Sequence, residues 1–261
     1  MLRKAHVIIC FIAFALAFGL RQAVDFFFNT GPYQSGIGSL ASFGIALIAV
    51  LLVKAEGFGF REHGFHLPKR ANRLLAISLF LAVLYVFIGI FVQGGIAGFE
   101  AVPGALISWD LLFTGGSVLL AVIAAETIFR GYVQTNLENA YGFSAALIVV
   151  SIMFTLYMLP ITLYFTAGSA ELLRRSLPLL AESVFLCFLF RETKTLLCPI
   201  AFATIVTLLE TFTPLEPTAT EYTTLVSLMC YIFLVPIMHA FMDGVRQQNA
   251  RLDAIPEVES E

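Results

Sequence analysis

Glu126 and Arg130 lie four residues apart inside an apolar run from Ala121 to Leu137. On a helix that spacing puts both side chains on one face. A charge inside an apolar span costs about 2.5 kcal/mol or more, so such a pair marks a candidate site. Two roles are open to it. A carboxylate held beside a cation can serve proton transfer, or the pair can neutralise itself and tie two helices together. His239 and Asp243 repeat the one-turn spacing farther on, as an acid–base pair or as a local pair in which Asp243 faces His239. Glu182 and Glu210 are further carboxylates in apolar surroundings. His63 and His66 are three apart, but their loop holds no cysteine, so they read as a polar interfacial pair and no metal site is expected.

These groups must be positioned by membrane helices. The chain is 59% hydrophobic and 13% charged, with a mean hydropathy of +0.90, whereas soluble domains are roughly half apolar and a quarter charged. The net charge of −3 and the lack of a basic run set nucleic acid aside as a partner. Cys10, Cys187, Cys198 and Cys230 all sit in apolar stretches without a Cys-x-x-Cys pair, and read as small buried hydrophobes.

Eight spans are predicted, at about 6–28, 36–53, 74–92, 111–132, 143–165, 177–190, 195–212 and 222–242. The first is too long for a leader and lacks a small-x-small cleavage site; Arg21 and Asp25 should pair near its far end. The fourth should continue as helix to Leu137 and stop at Asn139 to Gly142. Pro160 should kink the fifth, and Arg174 and Arg175 fall in the loop after it. The N-terminus, the 54–73 loop, the 191–194 turn and the tail hold eleven of the fifteen Lys and Arg residues. Alternating spans put all four on one side, so the reading is a multi-pass protein of the cell membrane with both termini cytoplasmic. The expected organisation is a three-span region at 1–110, a five-span core at 111–245 and a polar tail at 246–261.

The core carries a family resemblance. Ala125-Glu126-Thr127-Ile128-Phe129-Arg130-Gly131 resembles the first motif of the CPBP intramembrane proteases, the family of the type II CAAX prenyl endopeptidases, which reads Glu-Glu-x-x-x-Arg and is usually followed by Gly. Phe154-Thr-Leu-Tyr-Met158 falls where the family has Phe-x-x-x-His. Arg191-Glu-Thr-Lys-Thr-Leu-Leu-Cys-Pro-Ile200 resembles the approach to its third motif, His-x-x-x-Asn or Asp, which then lands on Ala203 and Thr207. The resemblance runs from about Leu111 to Leu209. It implies an all-α, eight-helix bundle with its site between spans four, five and seven.

In that family the first Glu and the second-motif His are thought to activate water, and the third-motif pair to hold the oxyanion. Ala125, Met158, Ala203 and Thr207 stand in those four places here. Of these only Thr207 can donate a hydrogen bond. Glu126 is a poor replacement for the first Glu, because neighbouring helical residues point about 100° apart. The expectation is therefore a degenerate member that retains Glu126 and Arg130. It would bind a hydrophobic or prenylated peptide, or a membrane protein, along Phe154, Met158, Ala203, Thr207 and Glu182, with membrane lipid around it and no cofactor. Glu182 is expected to be neutral or bonded across to Arg130. Glu210 shares a face with Thr207 and reads as a hydrated interfacial group. The enzyme alternative is a divergent endopeptidase, of CAAX or bacteriocin-processing type, that uses Glu126 with His239 and Asp243. A transporter built on Glu126, Glu182 and Glu210 ranks last, since paired Gly-interrupted helices are not evident.

Overall fold

The computed structural model describes residues 2–28, 34–57, 59–68, 71–97, 109–212 and 220–253, and every regular element among them is helical. The chain is an all-α, multi-pass membrane protein. In order come α1 (Leu2–Phe28), α2 (Gln34–Ala55), α3 (Ala71–Ala97) and α4 (Trp109–Glu126). α4 runs on without a break as a π-helix over Thr127–Gln134, and then as α5 (Thr135–Tyr141). α6 (Phe143–Met158), α7 (Ile161–Thr166), α8 (Ser169–Thr193), α9 (Leu197–Phe212) and α10 (Thr220–Asp253) follow.

Among the described residues, five stretches are long and apolar enough to cross a bilayer: 6–24, 38–55, 71–89, 114–141 and 227–245. α6 and α9 are apolar but shorter. Backbone polar groups in lipid must be satisfied within the segment, which is why such sequences fold only as helices. The long helices close into a circuit of neighbours, α1–α2–α4–α9–α3–α10–α8–α6 and back to α1. Inside the circuit, the π segment touches α1, α2, α6 and α8.

Two apolar clusters fill the bundle. One joins α1, α2, α4, the π segment and α6, with Phe129 edge-on to both Phe154 and Tyr157. The other joins α3, α8, α9 and α10 around Tyr85, Phe185, Phe202 and Tyr231. α8 serves both, with Cys187 in the first and Phe185, Leu186 and Leu189 in the second.

Several element ends depart from the sequence reading. Pro160 breaks the fifth span instead of kinking it. Leu159 and Pro160 are extended (ψ 129° and 139°), and a separate six-residue helix follows. A residue before proline is pushed out of the α region, and proline has no N–H to continue the ladder. Gln22 of α1 donates to the Leu159 carbonyl that this break exposes, at 2.9 Å. Arg174 and Arg175 are not in a loop but in the opening turns of α8, where both pair with Glu171. Arg21 lies 5.4 Å from the Tyr157 ring centre; the side chain of its expected partner, Asp25, lies outside the described residues. The stop at Gly142 is as expected: φ is +84° and ψ 167°, a conformation essentially reserved for glycine.

Candidate functional site

The site begins with the shape of the helix that carries it. The sequence suggests α-helix throughout 111–137, but Thr127–Gln134 is π-helical, its hydrogen bonds spanning five residues instead of four. π geometry occurs mostly as single-turn bulges and often at functional positions, so an eight-residue segment is long for its kind. All eight residues are buried. A helix apolar on one side only would leave a solvated face; this one is enclosed all round because its neighbours cover every side.

Among the described residues, Arg130 is the largest fully buried side chain. Its Nη1 lies 3.1 Å from Glu126 Oε1, and Nη2 donates to the Ser183 hydroxyl at 3.0 Å. The Ser183 carbonyl is a longer second acceptor at 3.4 Å. The guanidinium carbon stands 4.3 Å from the centre of the Phe154 ring, a cation–π distance. One turn on, Gln134 Nε2 donates to the Cys187 carbonyl at 3.1 Å. The π segment is thus fastened to α8 at two successive levels. Glu126 Oε2 and Arg130 Nε have no protein partner among the described residues.

The two charges are buried. Glu126 is 1% exposed and Arg130 0%. Arg130 is the charged group that Glu126 faces. Ala125 is packed in the first apolar cluster, as are Phe154 and, less deeply, Met158. Ala203 is packed in the second cluster, and Thr207 is half-buried one turn further along α9. The structure therefore brings Glu126, Arg130 and Phe154 together, and sets Ala203 among the side chains of α3, α8 and α10.

His239 belongs elsewhere. α10 packs chiefly on α3 and α8. The His239 ring is edge-on to Phe188, and its Nδ1 lies 3.7 Å from Glu192 Oε1 at the outer end of α8. Asp243 is exposed. Glu182 is half-buried, and the residue of α8 that meets Arg130 is its neighbour Ser183. The side chain of Glu210 lies outside the described residues. Among the described residues, no group of three or more His, Cys, Asp or Glu side chains is placed to hold a metal ion.

Three contributors were not anticipated from the sequence. Ser183 is the first. Glu56, at the end of α2, is the second: it accepts hydrogen bonds from the Tyr132 hydroxyl and, at 3.4 Å, from Asn136 Nδ2. The third is the loop 59–68, which lies across the end of the π segment. Leu196 N donates to Gly64 O at 3.1 Å, Thr195 Oγ1 donates to His66 O at 2.9 Å, and the His63 ring stacks on Tyr132. Gly131 allows this approach, since a Cβ there would stand 3.3 Å from the His63 carbonyl and 3.1 Å from Leu196. Its place directly after Arg130 was the one signal available in the sequence.

Residues 107–209 match the family model described as Rce1-like, type II CAAX prenyl endopeptidase Rce1-like. That segment takes in α4, the π segment, α5 to α8 and most of α9. No curated protein matches the chain. The matched span coincides with the helices that carry Glu126, Arg130, Phe154 and Ser183, and over it the central region of this membrane protein is similar to the type II CAAX prenyl endopeptidases, the CPBP or CAAX protease-like family.

Proposed function

We propose that this chain is a catalytically degenerate member of its family, one that keeps the scaffold to bind a hydrophobic peptide or membrane-protein partner and does not cleave it. The carrying observation is the burial of Glu126, 1% exposed, with Arg130 as its ion-pair partner among the described residues. A general base needs a water within reach and a proton to take. Ala125 and Met158 supply no base, and Ala203 supplies no oxyanion donor. Loss of one oxyanion donor typically costs about 100- to 1,000-fold in rate. Loss of a general base costs about 100- to 10,000-fold more. Even with non-additive losses, little rate should remain.

The test is a farnesylated CAAX peptide bearing a photoreactive group, offered to the purified full-length protein. Labelling near Met158 or Thr207 with the peptide intact supports the proposal. Turnover that disappears in both Glu126→Gln and His239→Ala would overturn it and establish a divergent peptidase. An intact peptide that labels nowhere on the protein would overturn the partner-binding half alone.

A further inference from the structure

A polar pocket of about 510 Å³ opens at one end of the bundle, apart from the Glu126–Arg130 site. Arg61, Glu62 and His66 line it from the loop after α2, Glu138 and Asn139 from α5, and Lys194 from the α8–α9 turn. Phe190 forms an apolar part of the wall. The volume falls within the roughly 300–1,000 Å³ usual for small-ligand sites. Spans 38–55 and 114–141 end beside it and span 71–89 begins beside it. It therefore sits where the bundle leaves the bilayer. Close in sequence to lining residues are large exposed side chains: Phe60 is 42% exposed, Leu67 76% and Tyr141 61%. Aromatic side chains on a membrane protein favour headgroup level.

The charges on the wall are balanced. Two cations, Arg61 and Lys194, face two carboxylates, Glu62 and Glu138. Lys194 reaches Glu138 only at 3.7 Å and is 63% exposed. Neither Arg61 nor Glu62 makes an ion pair among the described residues. The backbone beneath the wall is hydrogen-bonded in place. Lys194 adopts a left-handed conformation (φ +53°) with its N–H on Phe190 O at 2.7 Å, and Thr195 Oγ1 holds the His66 carbonyl. A pocket with equal numbers of cations and anions does not select a simple anion. It suits a ligand that carries both signs a few bonds apart.

We propose that this pocket binds the headgroup of a zwitterionic phospholipid with a primary ammonium, the phosphodiester meeting Arg61 and Lys194 and the ammonium meeting Glu62 and Glu138. Guanidinium and ammonium groups make charge-assisted bonds to phosphate oxygens, and the acyl chains would run over Phe60 and Leu67 into the bilayer.

The test uses the full-length protein in mild detergent, with retained lipid counted by native mass spectrometry. Phosphatidylethanolamine should be retained as one tight copy. Phosphatidylglycerol and phosphatidylcholine should bind at least about tenfold more weakly, and soluble glycerophosphoethanolamine should compete for the site. Arg61→Gln and Glu62→Gln, both at exposed positions, should each weaken retention about tenfold. Equal retention by wild type and both variants would overturn the proposal. So would equal binding of phosphatidylglycerol, or displacement by inorganic phosphate as effective as by the soluble headgroup, since either outcome would mark a plain anion site. If a variant fails to fold, the lipid comparison on the wild-type protein still decides.

Discussion

Arg130 donates to the hydroxyl of Ser183 at 3.0 Å, across 53 positions of sequence and from one helix to another. This bond ties the π segment, which sits in the first apolar cluster, to α8, which serves both. The cation is shared by Glu126 on its own helix, Ser183 on α8 and the Phe154 ring on α6. Three helices thus converge on a single guanidinium.

The first prediction concerns that convergence. Removing one partner of a buried pair costs about 3–5 kcal/mol, because the remaining charge stays buried. The two single changes should not be equal. A lone carboxylate can discharge by taking up a proton, whereas a guanidinium cannot shed its own. Glu126→Gln should therefore lower detergent stability more than Arg130→Met, and the double change should recover part of the loss. Ser183→Ala removes one acceptor from a charged donor and should cost about 1.5–3 kcal/mol. Thermal unfolding of the four variants checks this. Strictly additive losses for Glu126→Gln and Arg130→Met would rule out coupling.

A second prediction separates two glycines that admit the loop 59–68. Gly64 has φ +82°, and a Cβ there would meet Phe190 at 2.6 Å and the Leu196 nitrogen at 3.1 Å. Backbone strain of about 1–3 kcal/mol and overpacking of similar size both oppose Gly64→Ala, which should lose at least about 2 kcal/mol. Gly131 is helical, so alanine there gains about 1 kcal/mol of propensity against its close contact with the His63 carbonyl. Gly131→Ala should stay within about 1 kcal/mol of wild type. A larger loss at Gly131 than at Gly64 would contradict this ordering.

How much of this was legible beforehand follows the range of each interaction. Helix stops such as Gly142 are local and read directly from residue type. So did the pairing of Glu126 with Arg130, because both partners lie within one turn. The four replaced motif positions could be read by spacing, but the burial of Glu126 could not. Ser183 escaped notice because a serine in an apolar helix has many possible partners, and only packing selects one. The π geometry escaped as well, since residue type does not distinguish a π turn from an α turn. Glu182 was the more conspicuous neighbour by charge, yet one position along a helix is about 100° of rotation, and it is Ser183 that faces Arg130.

The third prediction is orientation. Cations concentrate on the cytoplasmic side of multi-pass proteins, and the 54–73 loop holds five of them, Lys54, Arg61, Lys69, Arg70 and Arg73. The expected topology puts both termini and this loop inside. The four native cysteines are buried. In a variant with all four replaced, a cysteine introduced at Lys69 should resist an impermeant thiol reagent in intact cells, and one introduced between residues 93 and 110 should react. Labelling at 69 from outside would reverse the orientation.

The last prediction is the pH dependence of the loop over the π segment. His63 is 1% exposed and stacks on Tyr132, with its Nδ1 3.4 Å from the Gly59 carbonyl. Burial holds its imidazole below the usual histidine range, while the Gly59 carbonyl and the carboxylates of Glu56 and Glu62 oppose the shift without cancelling it. The folded protein therefore binds this proton less readily than the unfolded chain, whose histidines titrate near about 6.5. Above that pH both forms are neutral and the stability is fully present. As the pH falls below it, the unfolded chain gains the proton first, and stability is lost until the folded pKa is reached. His63→Phe keeps an aromatic face against Tyr132 and removes the titration. Unfolding temperatures measured from pH 7.5 to 5 should fall more steeply for wild type than for His63→Phe, with the two curves parting below about pH 6.5. Contributions common to both proteins cancel in the difference. Parallel curves over the whole range would show that protonation of His63 is not linked to unfolding, and would remove this loop as the acid-sensitive part of the fold.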